Sequence, residues 1–98
     1  MKFKKEVYKL VRKIPKGKIT TYGEIARALR TRAYRHIGKI LKENRDKKVP
    51  CHRVVLSNGK VGGYNRGINT KIKLLRKEGI RVVNKKIIDF KSRFYKFN

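Results

Sequence analysis

Ninety-eight residues, 39% hydrophobic and 37% charged, leave room for one small domain and exclude a second independent core. Thirty Lys and Arg against six Asp and Glu give a formal charge of +24; nucleic acid is the first candidate partner, because neutralised phosphates release counterions, and acidic membrane the weaker one. One cysteine excludes an intramolecular disulfide and a Cys-based zinc site, and no apolar run nears the roughly 20 residues of a membrane span, so a soluble, intracellular, monomeric protein without metal or cofactor is expected.

In chain order, Phe3, Val7, Leu10, Val11 and Ile14 recur at helical spacing and predict a first helix ended by Pro15 and Gly17. Thr21 and Glu24 have capping-box spacing, and Tyr22, Ile25, Ala26 and Leu29 follow on one face of a short second helix. After a basic turn at Arg30, Thr31 and Arg32, the positions Ala33, Ile37, Ile40 and Leu41 line one side of a third helix, leaving Arg35, His36, Lys39 and Lys42 on the others. Two short helices around a tight turn suggest helix-turn-helix. Residues 27–48 carry nine Lys and Arg against Glu43 and Asp46, so the charge concentrates on the element that would enter a DNA groove, although a charge run is more often a solvated face.

Val49 to Leu56 reads as a short strand or extended segment, interrupted by Cys51, His52 and Arg53 and closed by the turn signal Ser57-Asn58-Gly59. The glycine-rich stretch 62–67 reads as a loop. Asn69 is the expected cap of a last helix with Ile68, Ile72 and Leu75 on its stripe, and Gly79 sits where its C-terminal stop belongs. From Arg81 the tail reads as a hairpin, Val82-Val83 against Ile87-Ile88 around Asn84-Lys85, and then a basic-aromatic end.

The lone thiol admits two readings. Free cysteine is usually a small buried hydrophobe. A thiol beside a histidine and an arginine can instead be a nucleophile, because a nearby cation favours the thiolate that attacks. In an extended strand, however, neighbours point to opposite faces, so His52 reaches Cys51 only through a bend or a bridging water; Pro50 supplies a reason for irregular backbone. Any of six acids, Glu6, Glu24, Glu43, Asp46, Glu78 or Asp89, could orient the imidazole.

Pro50-Cys51-His52-Arg53-Val54, with Ile19 to Ala26 before it and Gly62-Gly63-Tyr64 and Leu74 to Gly79 after it, closely resembles the O6-alkylguanine-DNA alkyltransferase family. Four blocks match in order, over about residues 3–80. The resemblance implies a mainly α domain with short strands, winged helix-turn-helix-like, of the alkyltransferase C-terminal type, with residues 1–98 forming a single DNA-binding and alkyl-acceptor domain and 81–98 a basic tail. It implies repair of double-stranded DNA containing O6-alkylguanine by irreversible, stoichiometric transfer of the alkyl group to Cys51. His52 is then the base acting through water, Glu78 its orienter and Asn44 the hinge. Tyr22, Tyr64, Lys71, Asn65 and Val54 become substrate-binding residues, and Arg35 the finger that enters the stack when the base is extruded, with Arg32, His36, Lys39 and Arg53 as further DNA contacts. A cytoplasmic, nucleoid-associated location is expected, or a nuclear one in a eukaryote. Asn65 departs from the family's common serine, and the turn at Arg30 to Arg32 is shorter than the common one.

Two other classes stay open. Alkyltransferase-like relatives bind the lesion without repairing it, but typically carry tryptophan where this chain has Cys51. A basic winged-helix module with an inert cysteine would explain the charge and leave the Pro50 to Val54 block without a purpose.

Overall fold

In the computed structural model, which describes residues 2–98, the first apolar stripe forms α1 (Lys2–Arg12). Val7 and Val11 bury its inner face, and the chain leaves through Gly17, whose φ of 87° lies in the left-handed region that glycine enters freely. Strand β1 (Thr20–Thr21) runs directly into α2 (Tyr22–Ala28), where Thr21 Oγ1 accepts the Glu24 N–H at 3.0 Å. Only this half of the capping box forms. The Glu24 carboxylate turns away to accept from the Arg27 guanidinium at 2.8 and 2.7 Å and from the Phe97 N–H at 2.8 Å.

Helix α2 stops in a Schellman pattern, with Thr31 N–H on the Ala26 carbonyl and Arg30 N–H on that of Arg27. The left-handed position of this stop, usually glycine, is Arg30 at φ 55°. Helix α3 (Tyr34–Lys42) follows and buries Ile37, Ile40 and Leu41 in the core. The helix, tight turn and helix that the spacing predicts are therefore present.

Residues 49–56 differ from the expected extended segment. Cys51–Arg53 form a 3-10 turn and only Val54–Val55 are strand, β2, which pairs parallel with β1 in the register Thr20 to Val54 and Thr21 to Val55. Local bonds cause the difference: the Cys51 N–H reaches the Val49 carbonyl at 2.8 Å and the Arg53 N–H that of Pro50 at 3.0 Å, so these groups are satisfied without a strand partner.

Helix α4 (Ile68–Lys77) is entered through Gly67 at φ 93°, which puts Asn69 inside the first turn and removes it from the capping role expected of it. Its far end is a Schellman stop as the sequence indicates: Gly79 has φ 88°, and the Ile80 N–H bonds the Leu75 carbonyl at 3.1 Å. Strands β3 (Val82–Val83) and β4 (Lys86–Ile87) form the hairpin, with Asn84 and Lys85 at φ 51° and 61°. The second strand is displaced by one residue from the expectation, because pairing Ile87 with Val82 turns Ile87 into the core and leaves Ile88 exposed.

The tail then forms a short helix that periodicity did not indicate, α5 (Phe90–Arg93), and returns along β1. Ile19 donates to the Arg93 carbonyl at 2.9 Å and accepts from the Tyr95 N–H at 2.7 Å. Two apolar clusters flank the β1–β2 pair. Val54 points into one with Val7, Ile25, Ile37, Cys51 and Phe97; Val55, facing the other way, joins Ile19, Leu75, Ile80 and Ile87. Among the described residues no helix is long and apolar enough to cross a membrane.

Candidate active site

Cys51 begins the 3-10 turn and is 8% exposed. Its Sγ belongs to the core cluster and also opens onto a cleft, so each reading of the thiol captures part of its setting. Asn44, buried just beyond α3, holds this segment in place. Its Nδ2 donates to the Val49 carbonyl at 3.1 Å and to Cys51 Sγ at 3.4 Å, while its Oδ1 accepts the Asp46 N–H at 2.9 Å. An amide N–H is thus aimed at the sulfur.

Because the turn is 3-10 and not extended, His52 swings toward the end of α4. His52 Nε2 lies 2.9 Å from Glu78 Oε2. Burial lowers the imidazole pKa below 6.5, outweighing the opposing pull of the Glu78 carboxylate, and so keeps the ring neutral. Burial acts to raise the Glu78 pKa, but hydrogen bonds from Arg53 and His52 outweigh it and hold the carboxyl below 4.5. An ionised carboxylate against a neutral imidazole makes Nε2 the protonated nitrogen, leaving the Nδ1 lone pair to accept a proton. Of the six acids open at the start, Glu78 is the one in contact with His52.

Arg53 corrects an expectation. Instead of reaching for DNA, its guanidinium grips Glu78 at 2.7 and 3.0 Å and donates to the Ile14 carbonyl at 2.8 Å. Two half-buried charges pair here, and the turn that aims His52 at α4 carries Arg53 with it. Val54, expected at the substrate, is 0% exposed and packs in the core, since the parallel register with β1 leaves its side chain no other direction. Lys71 is likewise 0% exposed; its Nζ donates to the carbonyls of Val54 at 2.7 Å and Gly63 at 3.0 Å. Burial lowers its pKa to about 8, against a small opposing pull from Cys51. It ties the glycine-rich loop to β2 and does not line the cleft.

The cleft itself measures about 330 Å³, within the range of small-molecule sites. Tyr22, Tyr64, Asn65 and Cys51 line it, together with Gly38, Leu41 and Lys42 of α3, which sequence reasoning missed. Burial first, and the neighbouring Cys51 second, raise the pKa of both tyrosines, so they remain hydroxyl donors. Gly38 did carry a signal: glycine inside a helix is costly, and a Cβ built there meets no atom within 4 Å. Packing does not require it, since the space above this face of α3, where the cleft lies, is open among the described residues. Asn65 Nδ2 donates to the Asn44 carbonyl at 2.7 Å, which fixes its amide orientation and leaves Oδ1 buried with no partner among the described residues. A second cleft of about 200 Å³ meets the first at Cys51, Tyr64 and Asn65 and includes His52.

Arg32, Arg35 and Lys39 are exposed and, among the described residues, form no ion pair. His36 is exposed too, but its ring stacks on Phe3 of α1 at 5.1 Å, which gives it a packing partner besides any DNA contact. Among the described residues no group of three His, Cys, Asp or Glu could hold a metal ion.

Residues 2–80 match the model of the DNA binding domain of 6-O-methylguanine DNA methyltransferase. The chain is 44% identical, over 94% of its length and 30% of the relative's, to a bifunctional methyltransferase/endonuclease of Picrophilus torridus. It is 44% identical over 82% of its length to a methylated-DNA–protein-cysteine methyltransferase of Saccharolobus islandicus, and spans 52% of that relative. The fold is similar to that of S. pombe Atl1 in complex with damaged DNA containing O6-carboxymethylguanine, with a TM-score of 0.83 and 29% identity over 98% of this chain and 96% of the other. The chain thus spans about half or less of the curated relatives it matches, and nearly all of the solved one.

Proposed function

Because the chain belongs to the 6-O-methylguanine DNA methyltransferase family, we propose that residues 1–98 act as one monomeric DNA-binding and alkyl-acceptor domain that repairs O6-alkylguanine in duplex DNA. The observation that carries this reading is the joining of Cys51 to both a base and a cleft: the thiol lies at the meeting of the two clefts, one walled by Tyr22 and Tyr64 and the other by His52, whose free Nδ1 is set by Glu78.

The reaction is a displacement at the alkyl carbon. Cys51 Sγ forms the S–C bond as the C–O6 bond breaks, the bonding electrons pass to O6, and the guanine takes up one proton while the thiol gives one up. His52 receives the thiol proton through a water in the second cleft, since Asn44 is the direct hydrogen-bond partner of Sγ. Asn44 steadies the developing thiolate. The thioether product is stable, so each molecule reacts once. A base in duplex DNA must leave the stack to reach Sγ, and Arg35 fills the gap it leaves, with Arg32 and Lys39 on neighbouring phosphates.

Intact-mass measurement after incubation with an oligonucleotide duplex containing O6-methylguanine tests the proposal. Wild type gains one methyl group and Cys51→Ala gains none; no gain with stoichiometric duplex would overturn it. The similarity to S. pombe Atl1 over nearly the full chain favours one second reading, lesion binding without transfer. Tight, lesion-selective binding with no mass gain would select it.

A further inference from the structure

Tyr34, the first residue of α3, is 52% exposed, an unusual position for an aromatic side chain. It forms the ridge between two grooves outside the Cys51 cleft. The first, about 460 Å³, runs between Tyr22 and Gly23 on one wall and the turn Leu56-Ser57-Asn58 on the other. The second, about 360 Å³, is lined by Gly23, Arg27, Arg30, Thr31 and Arg32. Leu56 across the first groove is also exposed, at 38%. Arg27 is committed to Glu24, whereas Arg30 and Arg32 form no ion pair among the described residues. Arg30 moreover occupies a left-handed position that glycine would take without strain. An apolar ridge thus stands beside two available cations.

Tyr22 connects this surface to the reaction, because it lines both the cleft at Cys51 and the groove beneath Tyr34. A strand that delivers one nucleotide past Tyr22 into the cleft can carry the next across the Tyr34 ridge, since the cleft and the first groove adjoin at Tyr22. Extrusion leaves two unstacked base faces, one on each side of the gap; Arg35 covers one, and the π-face of the other flanking base stays open. The geometry points to Tyr34 as the stacking platform for the nucleotide flanking the extruded base, with Arg30 and Arg32 neutralising phosphates of the same strand. This rests on the proposed function and adds to it a residue and a nucleotide position that the alkyl-acceptor chemistry does not itself require.

Fluorescence anisotropy with a labelled duplex containing O6-methylguanine, titrated at several salt concentrations, tests it. Tyr34→Ala should weaken binding about tenfold without changing the salt slope, because it removes a stacking face and no charge. Tyr34→Trp should restore affinity to within about threefold of wild type. Arg30→Gln with Arg32→Gln should flatten the salt slope by roughly two phosphate contacts. Wild-type affinity in Tyr34→Ala would overturn the assignment, as would an equal loss in Tyr34→Trp, which would mean the surface serves some other contact. Failure of the wild type to bind the duplex would instead defeat the proposed function, and Tyr34 with it.

Discussion

His52 Nε2 and Glu78 Oε2 lie 2.9 Å apart across 26 residues of sequence, and through them the turn that carries the thiol is fastened to the end of α4. The same carboxylate holds Arg53, so one acid serves both the orientation of the imidazole and the anchoring of the turn.

Acid should therefore weaken reactivity and fold together. Both folded-state pKa values are depressed, so the unfolded chain binds more protons. The His52 contribution to stability is complete above its unfolded value of 6.5 and is lost as pH falls toward its folded one; the Glu78 contribution is complete above 4.5 and lost below. Single-turnover alkyl transfer should be insensitive to His52 protonation from pH 8 to 6.5 and decline only below that. His52→Ala should slow transfer about a hundredfold, read by quenched-flow mass analysis; an unchanged rate would remove His52 as the base.

Arg53 and Arg35 should separate cleanly. Arg53→Gln leaves the half-buried Glu78 beside a neutral partner and should cost about 2 kcal/mol in urea unfolding, with the salt dependence of duplex binding unaltered. Arg35→Gln on exposed α3 should change stability by less than about 0.5 kcal/mol. It should lower the salt slope by roughly one contact. The reverse pattern would restore Arg53 to the DNA surface.

Gly38→Ala should divide stability from reactivity. A methyl on α3 meets no neighbour within 4 Å, so the helix gains up to about 1 kcal/mol and thermal unfolding moves upward. The same methyl projects into the cleft beside Cys51 and should slow reaction with O6-benzylguanine, measured as free base. Faster or equal reaction would mean that the clearance is not used by substrate.

Lys71 should give a stability signal on the alkaline side. Its folded pKa of about 8 lies below the ordinary 10.5, so the unfolded chain binds the extra proton and stability grows as pH rises between these values. The full gain is on the order of 3 kcal/mol. Subtracting the curve of Lys71→Met from that of wild type isolates it from the general relief of charge repulsion, and a flat difference would contradict the burial of a titrating lysine.

What could be read from the sequence was what repeats or punctuates. The α1 stripe, the helix-turn-helix, the stop at Gly79 and the Asn84-Lys85 hairpin follow from periods and turn chemistry that act over a few residues. The 3-10 turn at Cys51 has no period, and its local bonds outcompeted the β-branched run that suggested a strand. Arg53 read as a free cation because its partner Glu78 is 25 residues away, and Val54 and Lys71 faced inward for reasons set by the register with β1 and by the position of the glycine-rich loop. Gly38 was visible as a helical glycine, but its meaning depends on what surrounds it in three dimensions.

The bonds that lay residues 93–95 along Ile19, and Glu24 on the Phe97 N–H, also constrain when the fold can form. They close loops of more than 70 residues, the kind of contact that is slow to find and comes late. On a ribosome, the α1–α3 layer would emerge with Ile19 and Glu24 still lacking these partners, and could complete its packing only after residue 97 had cleared the exit tunnel. The nascent chain would thus remain unfinished, and the Cys51 thiol without a settled environment, until the tail had been made.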